Sequence, residues 1–89
     1  MTSRTTKRFR ECLSKLPAHV RRQAREAYQL FIQDRGHPGL QFKRVHATEP
    51  IYSVRITRNY RAVGVLTEKE IVWFWAGPHA EYVKLLRTL

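Results

Sequence analysis

The chain has 89 residues, of which 43% are hydrophobic and 27% are charged, so it can form one small globular domain and is too apolar for a disordered segment. A net charge of +10 favours a polyanionic partner: nucleic acid, an anionic membrane surface or an acidic protein. The single cysteine, Cys12, excludes an internal disulfide, and no apolar run reaches the about 18 residues that span a membrane.

These bounds predict that residues 1–89 form a single cytoplasmic domain that is not inserted in a membrane. Its first part is predicted to be a helical hairpin. The first helix has apolar residues at the i, i+3, i+4, i+7 spacing of an amphipathic helix: Phe9, Cys12, Leu13 and Leu16. Thr5 or Thr6 can cap its start, and Pro17 ends it. The second helix has a similar apolar stripe: Val20, Ala24, Ala27, Tyr28 and Phe31.

From Leu40 onward the apolar period changes to two, which is typical of strands. Strands are predicted over residues 40–45, 51–57, 60–67 and 70–77. The last of them is nearly all apolar, which suits a central strand. At most residues 2–4 could add to the sheet, and residues 79–89 can form a closing helix. The predicted fold is α+β: an N-terminal helical hairpin on a four-stranded, mainly antiparallel sheet, with a short C-terminal helix.

Arginines cluster around the predicted turn in "RITRNYRAVGV". Arg55 and Arg61 are six residues apart across this turn, so they should lie close together on adjacent strands. Two guanidinium groups at that separation could clamp a phosphate. The spacing equally allows two solvated arginines on an open sheet face. Arg58 lies in the turn itself, and Lys43 and Arg44 on the first predicted strand would enlarge the same basic surface.

His79 follows the last strand at the start of the closing helix, where an imidazole could donate or accept a proton. Tyr82 lies one helical turn further, on the same side. Both positions have simpler interpretations, since His79 could be an ordinary capping residue and Tyr82 could belong to the core. The histidines show no metal-ligand spacing, and no phosphate-binding glycine loop is present, so no metal or cofactor is expected.

Arginines, one histidine and a tyrosine fit a cleavage of RNA, which carries its own nucleophile. Attack of a 2′-hydroxyl on the adjacent phosphate gives a cyclic phosphate and frees a 5′-hydroxyl. Such an enzyme must move protons and stabilise a phosphorane with extra negative charge, for which positioned cations serve. DNA lacks the 2′-hydroxyl, so the same residues would not cut it.

The order of short motifs resembles the RelE/ParE superfamily of toxin–antitoxin toxins. The motifs are a helix ending "LP", then "YSVRI", "YRAV", "IVWFWAG" and "HAEY". The chain is most similar to the HigB- and YoeB-like members, in which the last strand runs into Gly-x-His-x-x-Tyr, here Gly77 to Tyr82. The resemblance spans roughly residues 9–86.

This resemblance implies a metal-independent mRNA endonuclease that acts on the ribosome and is neutralised by a cognate acidic antitoxin in a hetero-oligomeric complex. By position, Arg55 and Arg61 correspond to cations that stabilise the cleaved phosphate. His79 corresponds to the general acid, and Tyr82 to an aromatic residue that orients or stacks on the substrate. Three further residues are expected to bind RNA: Lys43, Arg44 and Arg58. Glu81 is the carboxylate nearest to this set in sequence, and it is not an obvious general base.

Two other functions stay open at this point. The superfamily contains inhibitors of DNA gyrase that cut nothing, and the basic face would then dock an acidic peptide of a protein target. The chain could also be a plain RNA-binding module in which Trp73, Trp75 and Tyr82 stack on bases. The apolar context of "IVWFWAG" favours core packing for at least one of these tryptophans.

Overall fold

The computed structural model describes residues 2–89. Its elements follow the predicted order, with one additional strand at the start. In chain order they are β1 (Thr2–Thr5), α1 (Lys7–Ser14), α2 (Ala18–Gln33), a 3-10 turn (Pro38–Leu40), β2 (Lys43–Arg44), β3 (Ile51–Thr57), β4 (Tyr60–Leu66), β5 (Glu70–Pro78) and α3 (His79–Thr88). Among the described residues, no helix has both the length and the hydrophobicity needed to cross a bilayer.

The helical hairpin forms as predicted. The Thr6 side chain accepts a hydrogen bond from the Phe9 N–H at 3.1 Å, which satisfies one of the donors that a helix start leaves unpaired. Pro17 stands between the two helices and caps α2. The buried side chains of the hairpin are Phe9, Leu16, Val20 and Phe31. Tyr28, which the apolar stripe predicts to face the core, is 40% exposed.

The sheet has five strands in the order β1-β5-β4-β3-β2, one strand more than predicted. The added strand, β1, pairs in parallel with β5, with Thr2 beside Glu70 and Thr5 beside Trp73. All other pairs are antiparallel. The four residues of β1, "TSRT", contain no apolar alternation, so hydrophobic periodicity does not predict them as a strand. Because β1 covers the outer edge of β5, the apolar last strand is central, as predicted.

The strand predicted over residues 40–45 is much shorter in the structure. Pro38 to Leu40 form a 3-10 turn that His37 caps through its Nδ1, which accepts from the Gly39 N–H at 3.0 Å. Gln41 then adopts a left-handed conformation with φ 46°. Left-handed backbone interrupts an extended strand, so β2 is confined to Lys43–Arg44.

Each side of the sheet has its own apolar cluster. The hairpin face packs against α1 and α2 and includes Val54, Ala62, Ile71 and Trp73. The α3 face packs against α3 and includes Ile51, Val63, Trp75 and Tyr82. Trp73, Trp75 and Tyr82 are respectively 4%, 7% and 5% exposed. Because the three rings are part of the core, they are not available to stack on RNA bases. This placement argues against the RNA-binding module in which these rings stack on bases.

Gly64 occupies a position at which a side chain would collide with the sheet. The β4–β5 register shifts between Val63 and Gly64. A Cβ on Gly64 would lie 2.9 Å from the Val72 carbonyl oxygen and 2.9 Å from Trp73 Cε3. We expect Gly64→Ala to lower the free energy of unfolding by about 1–3 kcal/mol, as overpacking of a dense core does. Urea denaturation measures this change.

Gly36→Ala is the matched control for that prediction. A Cβ on Gly36 would meet nothing closer than the Asp34 Oδ1 at 3.5 Å, which is an ordinary contact. Its stability should therefore equal or slightly exceed that of the wild type. Equal denaturation midpoints for Gly64→Ala and Gly36→Ala would contradict the predicted collision.

Candidate active site

The candidate site is built on a row of residues across three strands. Arg55 on β3 is directly opposite Arg61 on β4, and Arg61 is directly opposite Gly77 on β5. Directly opposed residues in antiparallel strands point to the same face, with Cβ atoms about 5 Å apart. The predicted cross-strand placement of Arg55 and Arg61, here called the arginine pair, is therefore confirmed.

The arginine pair belongs to the α3 face. Ser53 and Val63 lie two residues from Arg55 and Arg61 along their strands, so alternation places all four on one face. Ser53 and Val63 are fully buried under α3, whereas both arginines are half-buried. The pair thus stands at the margin of the α3 face, next to the β3–β4 turn. The alternative of two fully solvated arginines on an open sheet face does not hold for Arg61, because its side chain packs beside α3.

Arg61 has one hydrogen-bonded nitrogen and two that lack partners. Its Nη2 donates to the Gln41 Oε1 at 2.8 Å, and its guanidinium carbon lies 5.7 Å from the centroid of the Tyr82 ring, within cation–π range. The Nε and Nη1 atoms are buried and have no hydrogen-bond partner within the described chain. Unpaired buried donors are costly, and each one found calls for an explanation.

No carboxylate in the described part of the chain forms an ion pair with the arginine pair. Within residues 2–89, the ion pairs near the sheet and hairpin join Arg4 to Glu70 and Lys7 to Glu11, and neither involves Arg55, Arg58 or Arg61. Arg58 is exposed in the β3–β4 turn, at the same end of the sheet. Like charges placed directly opposite each other destabilise a sheet. The arrangement is therefore one that an external anion would stabilise.

His79 lies beside this cationic site. It is the first residue of α3 and is exposed. Its backbone N–H donates to the Asn59 carbonyl at 2.8 Å, which fixes the start of α3 against the β3–β4 turn. The His79 ring lies 5.6 Å from the Tyr82 ring, so His79 and Arg61 both adjoin the same aromatic side chain. An exposed imidazole at this place can exchange protons with a substrate and with solvent.

Tyr82 is buried next to Arg61 and is not accessible to a substrate. Its hydroxyl and the Ser53 hydroxyl form a buried hydrogen bond of 3.1 Å, and its ring is tilted against Trp75 at a centroid distance of 6.4 Å. The interpretation of Tyr82 as a residue that stacks on the substrate therefore does not fit the structure. On α3 it faces the sheet, where its ring underlies Arg61 and its hydroxyl satisfies Ser53.

We expect Tyr82→Phe to lower the free energy of unfolding by about 1–3 kcal/mol, because the Ser53 hydroxyl would stay buried without a partner. Ser53 is 0% exposed, so water cannot replace the lost hydroxyl without a local opening. In a double-mutant cycle, adding Ser53→Ala to Tyr82→Phe should recover most of the loss. Additive destabilisation by the two changes, measured by chemical denaturation, would contradict a direct coupling between them.

The two cations predicted on the first strand, Lys43 and Arg44, lie on opposite faces of the sheet. Lys43 is opposite Ser53 and so shares the α3 face with the arginine pair. Arg44 is opposite Tyr52 and leaves β2 on the other face. Its Nε donates to the carbonyls of His46 and Glu49 at 3.1 and 3.3 Å and holds the β2–β3 loop. Arg44 is therefore not part of the basic surface predicted from the sequence, because adjacent strand residues point to opposite faces.

Sequence reasoning missed two residues of this site, Gln41 and Ser53. Gln41 stands between Leu40 and Phe42 in a segment predicted to be a strand, and its reach to Arg61 depends on the left-handed turn. Ser53 offered a weak signal, as a hydroxyl at an inward-facing position of the apolar run "IYSVRI". Within residues 2–89, no three side chains of His, Cys, Asp or Glu are grouped as ligands of one metal ion.

The fold is that of a group of small bacterial and archaeal toxins. A chain of the RelB–RelE antitoxin–toxin complex from Methanococcus jannaschii superposes with a TM-score of 0.74, at 16% identity over 91% of this chain and 95% of that one. The YoeB/ParE toxin from Agrobacterium tumefaciens gives 0.70, at 12% identity over 89% and 99%. The isolated E. coli RelE toxin gives 0.66, at 14% identity over 99% and 98%.

The family of this chain is shown by a match of its sequence to a family model. The sequence model of the ParE-like toxin domain matches residues 18–84, a span that includes the site from Gln41 to Tyr82. The chain therefore belongs to the ParE-like toxin family, within the RelE/ParE superfamily that its motifs resemble. A comparison with curated proteins found no match.

Proposed function

We propose that the protein is the toxin of a toxin–antitoxin system and an endonuclease that cuts mRNA on the ribosome. The observation that carries this proposal is the arginine pair: two half-buried guanidinium groups directly opposite each other, with no carboxylate partner among residues 2–89 and beside an exposed histidine. An unneutralised cationic pair at the rim of a rigid sheet is suited to a phosphate whose negative charge increases during the reaction. A ribosomal substrate would place this activity in the cytoplasm.

The chemistry assigns a separate role to each side chain. The RNA 2′-oxygen forms a bond to phosphorus, the bond to the 5′-oxygen breaks, and the 2′-hydroxyl proton passes to solvent. His79 donates a proton to the departing 5′-oxygen. Arg55 and Arg61 stabilise the phosphorane between these steps, and Tyr82 fixes the height of Arg61 above the sheet. The products are a 2′,3′-cyclic phosphate and a 5′-hydroxyl.

Lys43 and Arg58 extend the cationic surface on either side of the arginine pair, so we propose that they hold the flanking phosphates. Their contribution would be mainly to binding, because their charges lie away from the reacting phosphorus. Phosphate contacts of this kind position a nucleic acid without reading its sequence.

A pulse of expression in growing cells tests the class of target. With radiolabelled precursors, we expect protein synthesis to stop first while DNA synthesis continues. Loss of DNA synthesis with intact protein synthesis would instead indicate a gyrase-type inhibitor, the activity that other members of the superfamily have. In that case the arginine pair would be a docking site for an acidic segment of a protein.

We further propose that a cognate acidic antitoxin covers the basic face. Two of the similar structures are RelB–RelE complexes from archaea, and the net charge of +10 favours an acidic partner. Electrostatic attraction should accelerate association, so the association rate should fall steeply as salt rises from about 50 to about 500 mM, over which the Debye length shrinks about threefold. Stopped-flow mixing of the two proteins measures the rate. A rate that does not change over this range would contradict an electrostatic attraction.

A further inference from the structure

The hydrogen bond between Arg61 and Gln41 uses a guanidinium donor that a bound anion would need. The Arg61 Nη2 donates to the Gln41 Oε1 at 2.8 Å, while Nε and Nη1 are buried. In this conformation Arg61 cannot present two free N–H groups to a phosphate. A bidentate contact requires two parallel donors that are open to the ligand. Arg61 must therefore move, or lose its bond to Gln41, before it can clamp a phosphate.

The sheet order places this bond across the arginine pair. Gln41 lies two residues before β2, and Arg61 lies on β4, so β3 runs between them. Arg55 is the β3 residue directly opposite Arg61. The hydrogen bond between Gln41 and Arg61 therefore spans β3, the strand that carries Arg55.

The closed arrangement contains features that oppose it. Gln41 has φ 46°, a left-handed conformation that glycine and asparagine adopt more readily than glutamine does. The buried Nε and Nη1 of Arg61 lack partners, which also disfavours this position of the side chain. The hydrogen bond to Gln41 and the contact with Tyr82 oppose these costs. The closed state is therefore held by few interactions, and a phosphate that pairs with the guanidinium can replace them.

We propose that Gln41 is a latch on Arg61: its carboxamide oxygen holds the guanidinium closed in the free protein and is displaced when an RNA phosphate binds. The choice of an RNA phosphate as the ligand depends on the proposed function. The latch itself depends only on the contacts of Gln41 and Arg61. A phosphate that binds must first break the hydrogen bond between Gln41 and Arg61, which costs free energy. Gln41 therefore lowers the affinity of the free toxin for phosphates.

The test compares binding of a short RNA oligonucleotide with 2′-O-methyl groups, which cannot be cut, to the wild type and to two variants. Gln41→Gly removes the acceptor and suits the left-handed backbone. Gln41→Asn keeps an amide and tolerates that backbone but is one methylene too short to reach Arg61. Loss of one hydrogen bond should tighten binding by about 3- to 10-fold in both variants. The matched control is Gln23→Asn, an exposed change on α2, which should bind as the wild type does.

A second readout does not involve RNA. With arginine labelled by ¹⁵N, the Arg61 Nε–H signal, assigned by its loss in Arg61→Lys, should exchange slowly with water in the wild type and faster in Gln41→Gly and Gln41→Asn. Equal exchange rates in the three proteins, or weaker RNA binding by both variants, would overturn the latch. Faster exchange and tighter binding in a protein that cuts no mRNA would support the latch and refute the proposed nuclease.

Discussion

Arg61→Ala is expected to lower single-turnover cleavage of ribosome-bound mRNA by about 100-fold or more, the scale seen when one donor that stabilises the charge of a transition state is lost. The guanidinium acts on the phosphorane, which exists only in passing, so the rate constant should fall more than the affinity. Quenched-flow measurement with excess toxin separates these two quantities. The variant should remain folded, because the change removes two buried nitrogens that have no partner.

Two further variants make the Arg61 prediction specific. Arg61→Lys keeps the charge but not the planar fork, so it should recover only part of the lost rate. Arg22→Ala removes the same charge from an exposed position on α2, away from the site, and should change the single-turnover rate little. If Arg22→Ala and Arg61→Ala lower the rate equally, the effect is one of net charge, and Arg61 does not contact the reacting phosphate.

His79→Ala is expected to lower the same single-turnover rate by about 10²- to 10⁴-fold, because the 5′-oxygen would leave without a proton donor. His79→Gln keeps a hydrogen-bonding side chain but cannot donate a proton as an acid, so it should be equally impaired. His19→Ala, an exposed histidine on α2, is the control and should be fully active. Growth arrest that survives His79→Ala would favour a docking surface, which needs no proton donor.

Much of the fold follows from local patterns in the sequence. The 3.6-residue stripes of α1 and α2 are clear because each helix buries one face, and β3 and β4 are recognisable as apolar runs because both faces of the sheet are covered. The sequence predicts at most residues 2–4 as a first strand, since β1 depends on parallel pairing with β5, about 70 residues away. The sequence predicts a longer β2 than the structure has, since the left-handed Gln41 interrupts an otherwise acceptable strand pattern. Long-range pairing and single dihedral angles leave little trace in hydrophobic periodicity.

Some features of the candidate site could likewise be predicted from the sequence, and others could not. The closeness of the arginine pair could be predicted from the tight turn, but its direct opposition depends on a register shift between Arg55 and Thr57 that no sequence pattern shows. Arg44 was grouped with Lys43 only because the two are adjacent, although adjacent strand residues point to opposite faces. Tyr82 was placed on the correct side of α3 relative to His79, but helical spacing does not reveal which side the sheet covers. The Gln41 contact is a tertiary one that no sequence pattern encodes.

The central claim, that the toxin cuts RNA by attack of the RNA's own 2′-hydroxyl, is tested most directly on programmed ribosomes. Two messages are compared that differ only in the codon in the A site, which is RNA in one and 2′-deoxy in the other. We expect the wild-type toxin to cut the first message, leaving a 2′,3′-cyclic phosphate and a 5′-hydroxyl, and to leave the second intact. Cleavage of both messages, or of neither, would contradict the account.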